Sequence, residues 1–577
     1  MGNSMENSFH FFPLWKRGMK GNLTAFQKTK LLRFSKSKNA IISSKIRRQS
    51  RENDLPHEIH FMSTVIPERA EPPLIVSIDI GTSSIRTMIF DGGGRTVEGM
   101  EARRAHEIQT TSEGAAEADP DALLQIVFEC LDQLMGKAGP LQSSIGGVAA
   151  CTFVNNLLGI DGEHRAVVPL TTYADTRGEG EVAGLRSDFD EASVHDRTGC
   201  RFHPSYLPAR LRWLSRAQPG LFARVTRWVS IGEYLELKLF GETAVTTSVA
   251  SWTGLLNRLL LAWDAPLLAG LPVNESHLSP LTDVRQPRRG LRTPFARRWP
   301  ALADVPWFPA VGDGAAANIG SGCTSFRQVA VTMGTTSALR AVLSAAPEHL
   351  PAGLWCYRVD GERSLLGGAL SEGGSIFAWM RETLNLGAHP NLEEALGAME
   401  PDSHGLTVLP FLAGERAPGW AGHARAALEG LSLATAPLEI LRAGMEAVAY
   451  RLFLVFELLR PLVPGDPQVV ASGGALLRSP AWLQIVTDVL GRPVAVCGVA
   501  EATSRGAALL ALEALGAIKS LEEIPHFIQS PYQPDPRRHA RYRRAVERQQ
   551  ELYAKLINNR IQDPGFRNQE KTGPSGS

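Results

Sequence analysis

Asp79-Ile80-Gly81-Thr82-Ser83-Ser84-Ile85-Arg86 closes one apolar run, Leu74 to Asp79 (LIVSID), and opens another, Arg86 to Asp91 (RTMIFD). Two short apolar runs around a glycine turn read as strands joined by a tight hairpin, and Gly92-Gly93-Gly94 marks the next turn. The pattern returns far along the chain: Val329 to Met333 (VAVTM), the turn Gly334-Thr335-Thr336-Ser337, then Ala338 to Leu343. Such an internal echo predicts a duplicated α/β unit with a ligand held between the copies.

The intervening sequence supplies the rest of each copy. Helical spacing of apolar residues predicts helices over Pro120 to Met135, with Asp119 or Asp121 as cap, and over Pro208 to Arg216, Gly232 to Phe240, Pro437 to Leu462, Trp482 to Leu490 and Gly506 to Leu515. Strands are expected at Gly146 to Cys151, Leu157 to Ile160 and Val469 to Ser472.

The two turns share a chemistry. Glycine lets the backbone approach a phosphate, and neighbouring hydroxyl and N–H groups donate to it. Gly81, Thr82 and Ser83 offer this in the first turn, and Gly334, Thr335 and Thr336 in the second. Asp79, at the end of its strand, is a candidate Mg²⁺ group, direct or through water. Taken singly, each turn also reads as an ordinary hairpin. A third element, Ala471 to Trp482 (ASGGALLRSPAW), is a strand, glycine turn and helix whose bare backbone at Gly473 and Gly474 suits a purine and its ribose. Asp313, in Val311-Gly312-Asp313-Gly314-Ala315, begins a stretch of small residues. A carboxylate at a helix start in a cleft can take the proton of an attacking hydroxyl; the plainer reading is a helix N-cap.

Composition narrows the classes. A chain of 577 residues exceeds one hydrophobic core, which predicts two domains with a cleft. Sixty Lys and Arg against 59 Asp and Glu give a net charge of +1, which argues against a nucleic-acid-binding surface. The six cysteines are scattered with no metal-binding spacing and read as buried thiols of a reducing compartment. No stretch of eighteen apolar residues is present to span a membrane. These readings give a cytoplasmic protein with small-molecule partners, no nucleic acid and no membrane, and leave a homo-oligomer open. Residues 1–70 form a basic, acid-poor leader expected to be disordered, either a targeting segment or no part of the native protein. Residues 557–577 are expected to be a disordered tail.

The order of these elements, with Glu501 followed by Gly506-Ala507-Ala508, resembles the FGGY carbohydrate kinases from about Leu74 to Leu556. Tyr206 to Leu214, Ala426 to Glu446 and Phe411 to Trp420 (FLAGERAPGW) are similar to further segments of that family. The resemblance implies an α/β, two-lobed actin-like or hexokinase-like (ribonuclease H-like) ATPase fold with an interlobe cleft. It implies a sugar-binding lobe over 71–320 and a nucleotide-binding lobe over 321–556. It also implies ATP and Mg²⁺, with Asp313 as catalytic base and Asp79 organising the metal. Gly81, Thr82, Ser83, Gly334, Thr335 and Thr336 would line the phosphates with Arg86 nearby, and Gly473 and Gly474 would lie by the adenosine.

For the sugar, Leu170 to Arg177 (LTTYADTR) resembles the family's Trp-x-Asp-x-Arg segment, which makes Asp175 and Arg177 substrate candidates. Thr198 to Pro204, Gly312 to Cys323 and Ile231 to Ser251 look most like the gluconokinase branch, and His203 reads either as a substrate contact or as a satisfied structural histidine. Val154-Asn155 stands where many relatives have Met-His, and Tyr173 replaces tryptophan; Asn155 keeps hydrogen-bonding capacity but cannot become charged. The expected activity is transfer of the ATP γ-phosphate to a terminal hydroxyl of a sugar acid, gluconate to 6-phosphogluconate. The alternatives are a xylulokinase or other pentulose or polyol kinase and, from another class, a non-catalytic sugar sensor on the same fold.

Overall fold

The computed structural model describes residues 63–558 apart from His526. Most of the expected leader, residues 1–62, and most of the expected tail, residues 559–577, lie outside the described residues. Residues 63–70 depart from the expectation of a disordered leader. Thr64–Val65 (β1) pairs in parallel with Thr96 and Val97, and the side chain of Val65 is buried, so this end of the segment is held by a sheet edge.

The first large sheet adds Leu74–Ile80 (β2), Ser84–Phe90 (β3), Thr96–Ala105 (β4), Ile145–Thr152 (β5) and Trp307–Gly312 (β6), in the order β1-β4-β3-β2-β5-β6. Strand β2 is buried along its whole length because both faces are covered. Val76, Ile78 and Ile80 enter a core built with Pro120–Ala138 (α1). Asp119 caps α1, accepting from the N–H groups of Asp121 and Ala122. The opposite face, with Ile75, Ser77 and Asp79, turns toward the second half of the molecule. A smaller five-stranded sheet, Leu207–Ala217 (α2) and Ile231–Phe240 (α3) complete this lobe. Asp313–Gly320 (α4) follows β6 directly.

The second large sheet contains Gln328–Met333 (β7), Ser337–Leu343 (β8), Trp355–Arg358 (β9), Ser364–Leu370 (β10), Gln468–Ser472 (β11), Val494–Cys497 (β12) and Ile528–Tyr532 (β13). Its order is β9-β10-β8-β7-β11-β12-β13. The echo in the sequence is an echo in topology. In each sheet an antiparallel hairpin, β2–β3 or β7–β8, is extended on one side by an antiparallel strand and on the other by two parallel ones. Gly374–Thr383 (α5), Pro437–Leu459 (α6) and Pro480–Leu490 (α7) pack over the outer face of the second sheet. Ala502–Ala514 (α8) runs back to the first sheet, where Ala507 to Leu512 join a core with Ile75, Cys151 and α4. Pro536–Tyr553 (α9) closes the outer layer. Among the described residues, no helix is long and apolar enough to cross a membrane.

Candidate active site

Strand register assembles the first part of the site. Asp79 on β2 stands opposite Arg86 on β3 and opposite Cys151 on β5, so the three share the inner face. Arg86 Nε lies 3.3 Å from Asp79 Oδ2, and its Nη1 contacts Glu501, the residue that precedes α8. Ser504 Oγ donates to Asp79 Oδ2 at 3.4 Å. Burial pushes the Asp79 carboxyl up, opposed by Arg86 and reinforced by Glu501. Arg86 is the cation that holds two carboxylates from the two halves of the chain.

Asp313 opens α4 immediately after β6. The N-cap is Gly312, so Asp313 is not the cap that a simple reading would make it; its carboxylate accepts from Gly314 N at 2.7 Å. Trp252 lies across both flanking glycines. A Cβ on Gly312 would sit 2.8 Å from Trp252 Nε1, and one on Gly314 would sit 2.8 Å from Trp252 Cη2. Glycine on both sides of the aspartate is what lets the indole wall the carboxylate. Asp313 is half-buried. Burial raises its pKa to about 6, with the charge of Asp79 acting in the same direction and Arg340 opposing. Two acids, one at the end of β2 and one just after β6 with β5 between those strands, therefore act on each other from one edge of the sheet.

The two turns present backbone and hydroxyl groups. Gly81 N donates to Ser84 O at 3.1 Å, and Ser83 is exposed at the tip. In the second turn Gly334 N donates to Thr336 O at 2.9 Å, and both threonines, Thr335 and Thr336, are exposed. The start of α5 seats this turn, since Gly374 N donates to Gly334 O at 2.7 Å and Ser375 N to Thr335 O at 3.1 Å. Gly473 follows β11 with φ of 91° and packs on the Met333 backbone, where a Cβ would lie 2.4 Å from Met333 O. Gly474 opens the following helical turn. The second and third glycine elements thus form one continuous backbone surface.

The residues expected to meet the sugar fare unevenly. Asp175 is 1% exposed and both its oxygens are engaged by Arg177, at 3.0 and 3.1 Å from Nε. Arg177 also contacts Glu117 and stacks 4.3 Å from the Trp213 ring. This closed pair presents no free acceptor to the cleft, contrary to the expectation for Asp175. Asn155 is 9% exposed in a left-handed conformation (φ 57°). Its Nδ2 donates to Trp252 O at 2.8 Å and its carbonyl accepts from Arg210, so it anchors the Asp313 wall from behind. His203 is half-buried beside Trp420, ring centroids 5.8 Å apart, with Nδ1 2.8 Å from Ser205 Oγ. Burial, with Arg416 and Arg186, lowers its pKa to about 3, so the ring is neutral at physiological pH.

Family models for the FGGY carbohydrate kinases match this chain twice, the N-terminal domain over residues 74–320 and the C-terminal domain over 329–515. The chain belongs to the FGGY family of carbohydrate kinases. It is 27% identical over 473 residues to the gluconokinase of Bacillus subtilis (strain 168), covering 80% of this chain and 91% of that one. It is 26% identical over 497 residues to the xylulose kinase of Escherichia coli (strain K12), covering 84% and 99%. The crystal structure of gluconate kinase from Lactobacillus acidophilus matches with a TM-score of 0.78 and 26% identity, over 84% of this chain and 98% of that chain. FGGY kinases are ATP-dependent phosphotransferases that use a divalent metal, so the sequence's expectation of fold and family is met.

Two features of this FGGY kinase's site were not singled out from sequence. Trp252 walls Asp313 and stacks on Tyr357, centroids 3.7 Å apart, joining the two lobes through aromatic rings. Arg340, on β8, reaches toward α4. Its signal was available as a single charge inside the apolar strand Ala338 to Leu343.

Proposed function

We propose that this FGGY kinase transfers the γ-phosphoryl group of MgATP to the terminal hydroxyl of a sugar acid, with gluconate giving 6-phosphogluconate. Asp313 takes the hydroxyl proton as the oxygen forms its bond to the γ-phosphorus, and the bond from that phosphorus to the bridging oxygen breaks to release ADP. The observation that carries this is the Asp313 carboxylate, half-buried at a helix start between the charges of Asp79 and Arg340, with a pKa of about 6. A base near neutrality accepts a proton without being trapped by it.

The donor set fits a divalent metal: two carboxylates act on each other from one edge of the sheet, and the charge of Asp79 already raises the proton affinity of Asp313. Bound magnesium would offset charge on the phosphate oxygens. Asp79 would hold that ion, with Arg86 and Ser504 fixing its carboxylate. The N–H and hydroxyl groups of Gly81, Thr82, Ser83, Gly334, Thr335 and Thr336 would cradle the phosphates, and Gly473 and Gly474 the adenosine. Closure of the lobes on both substrates excludes water and limits ATP hydrolysis. His203 would meet the substrate through its free ring edge. Asn155 and the Asp175–Arg177 pair would shape the sugar pocket rather than bind by charge.

Gluconate is supported by the relatives named gluconokinase and gluconate kinase. The competing substrate is xylulose, through the E. coli relative. A panel of gluconate, xylulose, ribulose and glycerol with ATP sorts these by kcat/KM. Asp313→Ala is expected to abolish turnover of the best substrate while ATP binding persists; near-normal activity of that variant rejects the base.

A further inference from the structure

Arg340 sits on β8 opposite Ala330 and Gly367, on the face that also carries Val342. Leu339, Ala341 and Leu343 point into the core of the second lobe, whereas Val342 packs against Trp252 and α4. Strand alternation therefore aims Arg340 across the cleft at the start of α4. A Cβ built on Gly314 would lie 3.9 Å from Arg340 Nε. That Nε is buried without a hydrogen-bond partner, and among the described residues no carboxylate lies within ion-pair distance of the guanidinium. Arg340 is half-buried, and a buried N–H left without a partner is costly unless something else completes it.

A second guanidinium stands on the same wall. Arg416 donates from Nη2 to Leu370 O at 2.8 Å, and its charge acts on Arg340, on His203 and on the half-exposed Tyr173. Tyr173 feels the charge of Asp313 as well as that of Arg416. Arg340 and Arg416 thus bring two guanidinium groups toward the region of Asp313, where Asp79 also acts, with Glu372 beside Arg416.

We propose that Arg340 is a specificity-determining residue that binds the carboxylate of an open-chain sugar acid, with Arg416 enlarging the positive field around it. This rests on the kinase reading above and refines its substrate class. A substrate bearing a hydroxyl at one end and a carboxylate at the other spans the cleft from Asp313 to the arginines. A guanidinium accepts a carboxylate through paired, charge-assisted hydrogen bonds that no neutral group of the substrate can replace.

The test compares gluconate with gluconamide, its uncharged isostere, for the wild type, Arg340→Met and Arg340→Lys. The wild type is expected to prefer the acid, and Arg340→Met to lose about 10- to 100-fold of that preference, chiefly in KM. Arg340→Lys, which keeps the charge but not the fork, is expected to recover part of it. Equal loss toward acid and amide, or an acid preference unchanged in both variants, overturns the role of Arg340 while leaving the sugar-acid reading intact. A wild type that prefers xylulose or glycerol to gluconate overturns the sugar-acid reading itself, before any variant is made. Should Arg340→Met fail to fold, the acid-to-amide ratio of Arg340→Lys decides alone, a value equal to wild type counting against the proposal.

Discussion

Gly320 and Gly506 meet where α4 crosses α8. A Cβ on Gly320 would lie 1.8 Å from Ala502 O, and a Cβ on Gly506 would lie 1.8 Å from Ala316 O. The helices touch backbone to backbone there, and each contributes to the chemistry at its start. Asp313 begins α4, while Glu501 and Ser504, at the start of α8, hold Arg86 and Asp79. The glycine contact thus sets the distance between the two acids as much as the sheet does.

Gly506→Ala is expected to force these helices apart. Neither clashing atom is the end of a flexible side chain, so the cost is about 3 kcal/mol, the upper part of the range for overpacking. Thermal unfolding should show a lower Tm, and phosphotransfer should fall with it even at temperatures where the variant is folded. A variant with wild-type Tm and activity would show that the helices can slide without loss.

Arg86→Met leaves Asp79, 3% exposed, beside Glu501 with no cation between them. Removing one member of a buried charge cluster costs about 3 kcal/mol. Adding Glu501→Gln removes one of the two repelling charges, so the double variant is expected to be more stable than Arg86→Met by about 1 kcal/mol. Urea unfolding of the four proteins checks this; strictly additive losses would mean that the three groups do not act together.

The glycine hairpins, the duplicated sheets and Asp313 were legible in sequence because each depends on local pattern: strand length, turn residues, and a glycine on either side of an acid. Predicted α2, α3, α6 and α7 agree with the observed helices to within a few residues. What local pattern could not supply was pairing across long sequence separation. Arg86 finds Glu501, 415 residues away, and Trp252 finds Tyr357 through lobe packing. Asp175 matched a segment similar to a substrate-binding motif, yet its neighbour Arg177 neutralises it, a fact of rotamers that spacing does not encode. Arg340 was visible as a charge in an apolar strand but had meaning only once strand alternation aimed it at Asp313.

If Asp313 is the base, kcat/KM is expected to fall about tenfold per pH unit below a break near 6, where the carboxylate gains its proton. Arg340 stabilises the ionised form and so lowers this pKa. Arg340→Met removes that positive charge, and its break is expected at higher pH than the wild type's, while that of Arg340→Lys stays closer to it. A pH–rate profile for each, with an uncharged acceptor alcohol, measures the shift. Coincident breaks in wild type and Arg340→Met would mean that the guanidinium does not reach Asp313 in the working enzyme.

The same carboxylate makes a prediction about stability of the opposite sign from the usual aspartate. Its folded pKa, about 6, lies above the ordinary 3.8, so between these values the folded protein binds the proton that the unfolded chain has released. Stability contributed by this group is therefore lost as pH rises from 4 to 6, and above 6 the ionised Asp313 is a standing cost of the fold. Asp313→Asn removes the charge while keeping the shape. It is expected to raise Tm by about 1–3 °C at pH 8, with the gain shrinking to nothing near pH 4, where the wild-type carboxyl is already protonated. Scanning calorimetry of both proteins at the two pH values decides it. A variant less stable than wild type at pH 8 would mean that the ionised carboxylate is paid back by contacts other than Gly314 N and Arg340.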